Sequence, residues 1–159
     1  MTDHTFAALG DLEWYWKPFA ELTSVEVYDI LAARSAVFVV EQDCVYGDID
    51  DLDKSAWHLF ACQRGGTNLA GYLRVLLPDA AEPDVRIGRV LTTSAFRGIG
   101  LGNAMLARAM NHIDEQWPGV PIRLHAQAHL QKFYGAFGFR PVSEIHDEDG
   151  IAHVWMRSS

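Results

Sequence analysis

Apolar and polar positions along this chain repeat at two periods, and the switches between them predict a series of short elements. Val27, Ile30, Leu31, Arg34 and Val37/Phe38 recur at helical spacing, and Thr23-x-x-Glu26 ahead of them has capping-box spacing. That predicts a first helix. Trp14 to Phe19 is short and aromatic and meets Pro18, as an initial strand would. Trp57 to Cys62 and Leu69 to Leu77 read as a hairpin around Gly65-Gly66-Thr67-Asn68. Pro78 to Asp84 is a turn. Val85 to Thr92 is a strand with a fault: Val85 and Ile87 share a face, then Val90 breaks the alternation beside Leu91. A parity slip next to Gly88 predicts a β-bulge. Leu106, Ala109, Met110, Ile113 and Trp117 mark a helix from Leu101 to Trp117, ended by Pro118-Gly119. A buried strand, Ile122 to Ala126, precedes a short helix at about His129 to Phe137, closed by Gly138. Two strands, Pro141 to Ile145 and Ile151 to Met156, flank a turn from Asp147 to Gly150. The order β-α-β-β-β-α-β-α-β-β predicts an α+β fold, a mixed sheet layered with helices.

The junction between the faulted strand and the long helix carries the most chemistry. Arg97-Gly98-Ile99-Gly100-Leu101-Gly102 places glycines on alternate positions where a helix begins. Backbone can approach a ligand closely there, and the unpaired N–H groups of a helix start favour phosphate. Arg97 adds a fixed cation whose fork of donors suits phosphate oxygens. A Rossmann turn would place its third glycine at Asn103, and a P-loop needs a lysine that is missing. Read alone, the segment is a diphosphate cradle or a glycine-rich turn without a ligand.

Arg97-x-x-Gly100-x-Gly102 resembles the pyrophosphate-binding motif of the GNAT superfamily of N-acetyltransferases, Arg/Gln-x-x-Gly-x-Gly/Ala. The run Gln127-Ala128-His129-Leu130-Gln131-Lys132-Phe133-Tyr134-Gly135-Ala136-Phe137-Gly138-Phe139 resembles that superfamily's second element, a strand and then a helix bearing a tyrosine before Gly-Phe. Arg34 to Gln42, Tyr46 to Asp50, His125 to His129 and Glu148 to Ile151 resemble its ElaA-type branch, so the likeness spans about residues 14 to 157. It implies one GNAT (acyl-CoA N-acyltransferase) domain over residues 1–159, with a mixed, mostly antiparallel sheet flanked by helices. It also implies acetyl-CoA as co-substrate and no metal. The cofactor's arm would enter beside a splayed strand at Val90, Leu91 and Thr92. Its diphosphate would meet Arg97, Gly98, Ile99, Gly100, Leu101, Gly102 and Asn103, with Gln127 and Phe133 as further contacts. Many GNAT proteins carry asparagine where this chain has Gln127.

Composition limits what else the chain can be. Its 159 residues make one domain of ordinary size. A net charge of −8 argues against nucleic acid, and an acidic field suits a cationic substrate. No apolar run approaches the ~20 residues of a membrane helix. Met1 to Gly10 lacks the pattern of a signal peptide. Cys44 and Cys62 form no C-x-x-C pair and read as free thiols in a reducing cytoplasm. Trp14, Tyr15 and Trp16 are a packing surface for a second copy, giving a homodimer, or simply part of a structural strand.

Acetyl transfer to an amine needs a base, alignment, an oxyanion donor and a proton or hydrogen bond for the departing thiolate. The resemblance implies that Tyr134 serves the thiolate, since a phenol near pKa 10 matches it in basicity. Glu41, just past the first helix and next to an apolar run, is the leading base. Asp50, in the acidic loop from Asp43 to Ser55, either holds an ammonium acceptor or takes its proton. His129 and His153 titrate in the right range. Arg34 lies on an apolar helix face and requires a partner, Glu41 or Asp50. His125 and His129 have H-x-x-x-H spacing but straddle a strand–helix junction without a further ligand, so no metal is expected. The reading is direct transfer from acetyl-CoA to a primary amine of a small molecule or peptide in a ternary complex. A non-catalytic acyl-CoA-binding or sensing module is the alternative.

Overall fold

The computed structural model describes residues 8–66 and 68–158. Thr67 in the predicted hairpin turn, and the part of the Met1–Gly10 reading before residue 8, lie outside them. The alternating segments become β1 (Leu12–Pro18), β2 (Trp57–Gln63), β3 (Leu69–Leu76), β4 (Val85–Thr92), β5 (Ile122–Gln127), β6 (Arg140–Pro141), β7 (His146–Glu148) and β8 (Ile151–Arg157). The helical segments become α1 (Ser24–Arg34), α2 (Leu101–Gln116) and α3 (Gln131–Gly135). The eight strands form one sheet in the order β1-β2-β3-β4-β5-β8-β6, with β7 also paired to β8. Among the described residues, only β4 and β5 run parallel.

Each face of the sheet has its own core. On one, Leu59, Leu73, Ile87, Leu124 and Met156 meet the α2 residues Leu101, Met105, Leu106, Ala109 and Ile113. Burying an aliphatic side chain of this size contributes about 1.5–3 kcal/mol. On the other face, Ile30 of α1 covers Phe60, Leu69, Tyr72 and Leu91. The capping box forms as predicted: the Glu26 amide donates to Thr23 Oγ1 at 3.1 Å, and the Thr23 amide donates to Glu26 Oε1 at 2.9 Å. Gly71 of β3 lets α2 lie close, because a Cβ there would stand 2.7 Å from Met105 Sδ and 3.3 Å from the Leu91 carbonyl oxygen.

The predicted parity slip in β4 is real. Tyr72 opposes Leu91 and Arg74 opposes Gly88, so Arg89 and Val90 together answer Leu73. Ile87 therefore joins the α2-side core, and Leu91 the α1-side core. The extra residue puts Arg89 at φ 54°, a region that non-glycine residues rarely occupy. Pairing of β4 with β5 ends at Ile87 and Leu124, and beyond that point the two strands part.

Two local expectations change. The helix expected at His129 to Phe137 is a 3-10 turn, Ala128–Leu130, followed by the five-residue α3. Of the strand expected at Pro141 to Ile145 only Pro141 is in a strand, β6, and β7 starts later, at His146, running into the turn expected at Asp147 to Gly150. The chain leaves the ladder at Ser143, whose hydroxyl, rather than a backbone carbonyl, accepts the Trp155 amide. The aromatic run of β1 is satisfied within the chain: Arg108 lies 4.3 Å over Trp14, His112 stacks on Trp16 at 4.5 Å, and Tyr15 stacks on Phe60 at 5.1 Å. Among the described residues, no helix is long and apolar enough to cross a membrane.

Candidate active site

The gap between β4 and β5 opens into a cleft of about 740 Å3. Residues 87–92 form one wall, and Leu124, His125 and Gln127 the other. Since β5 is not paired to β4 beyond Ile87, the bulged edge of β4 faces the cleft with backbone groups available to an extended ligand. Val90, Leu91 and Thr92 lie on that edge as the sequence implied. Glu41, Arg97, Gln127, Tyr134 and His153 also line the cleft.

A 3-10 turn, Ser94–Phe96, joins β4 to the glycine turn. Gly98 has φ 80°, and Gly100, at φ 81°, is the residue that caps α2. The first amides of α2 thus follow shortly after Arg97, which lines the cleft, and carry the positive end of the helix. Gly102 lies under Phe133: a Cβ there would be 3.6 Å from the ring. Phe133 itself is half-buried among Tyr134 and Phe137 and serves as packing. The side chain of Leu101 is buried in the core, Ile99 packs against it, and Asn103 is exposed.

The first helix does not stop at Arg34. Residues Ser35–Glu41 continue it as a wider π-helical turn, a form often found at functional sites. This turn brings Val37, Phe38 and Glu41 to the cleft. Glu41 is not unpaired there. Arg97 Nη1 stands 2.6 Å from its Oε1, and Arg97 Nη2 donates to its Oε2 at 3.2 Å. Arg97 also donates to the Thr92 carbonyl from Nη2 at 2.9 Å, so it ties the π turn to the end of β4.

Arg34 and Asp50 are not in the cleft. Arg34 is fully buried, and its partners are neither Glu41 nor Asp50. Nε donates to Asp48 at 2.8 Å and Nη1 to Asp53 at 2.6 Å. Asp50 takes two bonds from Arg74, at 2.8 and 2.6 Å. Arg89 completes the set with a 2.7 Å bond to Asp48. Three guanidiniums thus neutralise Asp48, Asp50 and Asp53, and the loop read as an acidic surface is an internal ion network. Burial alone would raise the Asp50 carboxyl, but the bonds and charge of Arg74 outweigh it and hold it at about 2. Asp53 is lowered for the same reasons, chiefly by Arg34. A carboxylate held this low is a poor base.

Tyr134 is buried at the cleft, and burial pushes its phenol up to about 12. It stays protonated at neutral pH, and the match to a thiolate expected for a phenol near 10 is lost. It remains a hydrogen-bond donor. His125 does not meet His129. It meets His146, with Nε2 atoms 2.7 Å apart, and stacks near His153 at 4.6 Å. Burial and the two neighbouring imidazoles lower its pKa. The His153 Nδ1–H donates to the Ile151 carbonyl at 2.8 Å, which leaves Nε2 bare. Sequence reasoning gave no role to Arg89, Gly71 or His146, and met Glu148 only within the run Glu148 to Ile151. The parity slip located the bulge, but nothing in the pattern marks an arginine for a positive φ.

The chain that builds this splayed sheet and glycine turn matches a known family model. Residues 21–159 fit that of the acetyltransferase (GNAT) domain. The chain belongs to the GNAT acetyltransferase family, in its ElaA-like branch. Protein ElaA of Escherichia coli is 41% identical over 147 residues, covering 91% of this chain and 95% of ElaA. A UPF0039 protein of Synechocystis is 40% identical over 149 residues, covering 92% and 94%. The crystal structure of E. coli ElaA superposes with a TM-score of 0.87 at 38% identity, over 93% of this chain and 99% of that one. An acyl-CoA N-acyltransferase from Pseudomonas aeruginosa gives 0.88 at 45% identity, with the same coverage. This GNAT chain has the fold of acyl transfer from acyl-CoA.

Proposed function

We propose that the protein transfers an acetyl group from acetyl-CoA to a primary amine of a small molecule or peptide, by direct attack in a ternary complex. The observation that carries this reading is the cleft along the unpaired edge of β4, lined by residues 87–92, by Arg97 just before the glycine turn, and by Tyr134. The diphosphate would rest on the amides of residues 98–103, and the extended arm would bond the backbone at Val90 to Thr92, as an added strand does. Gln127, on the facing wall, is a further contact.

Arg97 gives the two ends of the cleft a physical link. A diphosphate competes with Glu41 for the guanidinium. A Glu41 carboxylate relieved of Arg97 can accept the amine's proton, directly or through water. Tyr134 would donate a hydrogen bond to the departing sulfur, with the phenol too weakly acidic to give up its proton fully. The acceptor would enter between the π turn and β8, past His153. Cys44 and Cys62 are free thiols, which fits action in the cytoplasm.

The test is the release of CoA from acetyl-CoA with a panel of amines, together with the mass of the product. Amine-dependent release with acetylated product supports the reading. Saturable acetyl-CoA binding with no release by any amine would make the chain a binding or sensing module.

A further inference from the structure

His125 on β5 and His146 on β7 converge over β8, the strand between them, until their Nε2 atoms stand 2.7 Å apart. Glu148, two residues along β7, adds a carboxylate, and one ligand atom from each of the three lies within 4.8 Å of the others. The His146 Nδ1–H donates to the Glu144 carbonyl at 3.0 Å. That bond fixes the tautomer and leaves Nε2 with its lone pair toward His125. Metal-ligating histidines are oriented in this way, by a carbonyl on the other ring nitrogen. His125 is held by stacking on Trp155 at 4.3 Å, so the set sits on packed strands and not on a loose loop.

Two imidazole nitrogens and one carboxylate suit zinc and its first-row neighbours, whereas magnesium and calcium require oxygen sets. We propose that His125, His146 and Glu148 form a binding site for one divalent transition-metal ion of the zinc type on the wall of the cleft. A single proton can join the two facing nitrogens. The ion replaces that proton when His125 carries its own on Nδ1 and the two rings part to about 3.3 Å between nitrogens, the span of two tetrahedral Zn–N bonds; neutral ligands are what metal binding selects. Three protein ligands leave a tetrahedral ion one open position, and His125 and Glu148 line the cleft. This set replaces the His125–His129 pair that spacing alone brought to notice.

Calorimetric titration of the full chain with Zn2+ alone tests the site without any recourse to turnover. One ion per chain is expected, undisturbed by excess Mg2+. H146A and E148Q should each weaken Zn2+ by at least about tenfold, and H129A should bind like the wild type. Glu148 is exposed, so E148Q keeps the fold even if H146A loosens β7. No saturable Zn2+ binding in the wild type, or wild-type affinity in both H146A and E148Q, would overturn the proposal.

Discussion

The cleft has two ends, and they are built on opposite principles. At the glycine turn, recognition is assigned to backbone: left-handed glycines, helix-start amides and the unpaired edge of β4. At the other end, behind the π turn, the loop from Asp43 to Ser55 is held by side chains, with Arg34, Arg74 and Arg89 neutralising Asp48, Asp50 and Asp53. On the proposed reading, the glycine end receives a charged visitor. The loop end reads as charged in the sequence, yet Asp48, Asp50 and Asp53 are closed upon arginines, and of its carboxylates only Asp43 and Asp51 stand exposed. Its work is to fix the loop against the bulge, through Arg89 at its strained φ of 54°.

This contrast can be broken most forcefully at Asp53. Asp53→Ala leaves Arg34 and Arg74 buried with a lost partner, which costs about 3–5 kcal/mol. Thermal unfolding should fall by roughly 10 °C, while acetyl-CoA affinity changes little. The same network sets the acid limit. Asp50 and Asp53 lie below their ordinary values when folded. Their stabilisation is therefore present above about pH 4 and is lost as pH falls toward the Asp50 value of about 2. An acid-unfolding profile that is flat through that window would separate these groups from stability.

Gly100→Val attacks the other end. A β-branched residue at φ 81° strains the turn and crowds the amides. Acetyl-CoA affinity should fall by at least about 100-fold, while the left-handed penalty of about 1–2 kcal/mol lowers the melting temperature only modestly. Unchanged affinity by calorimetry in a folded variant would remove the cradle. Tyr134→Phe is expected to be milder, about 10- to 100-fold in kcat, the scale of one hydrogen bond to a charged group. Single-turnover measurement checks this, and a near-wild-type rate returns Tyr134 to packing. The smallest effect is the preference for cationic over neutral acceptors. With the acidic loop neutralised, it should be a few-fold in kcat/KM and narrow with salt.

The two ends were also unequally legible in the sequence. Glycine spacing and the parity slip at Val90 are local signals, and both predict where the backbone goes. The ion network is not local. Arg34 faces an apolar stripe and calls for a carboxylate, but Asp48, Asp50 and Asp53 crowd one short loop. Which of them it meets depends on Arg74, 40 residues further along the chain, competing for the same loop. The π turn was hidden because its apolar run, Val37 to Val40, continues a helical stripe. His146 was missed because a strand was expected to end just before it.

On the proposed reading, acetyl-CoA is held by the glycine turn and the free edge of β4. Backbone amide resonances followed during titration with acetyl-CoA test it most directly. The largest saturable shifts should fall at Gly98, Gly100, Gly102 and at Val90 to Thr92, with Asp48, Asp50 and Asp53 nearly still. Shifts concentrated in the loop from Asp43 to Ser55, with the glycine turn unmoved, would contradict it.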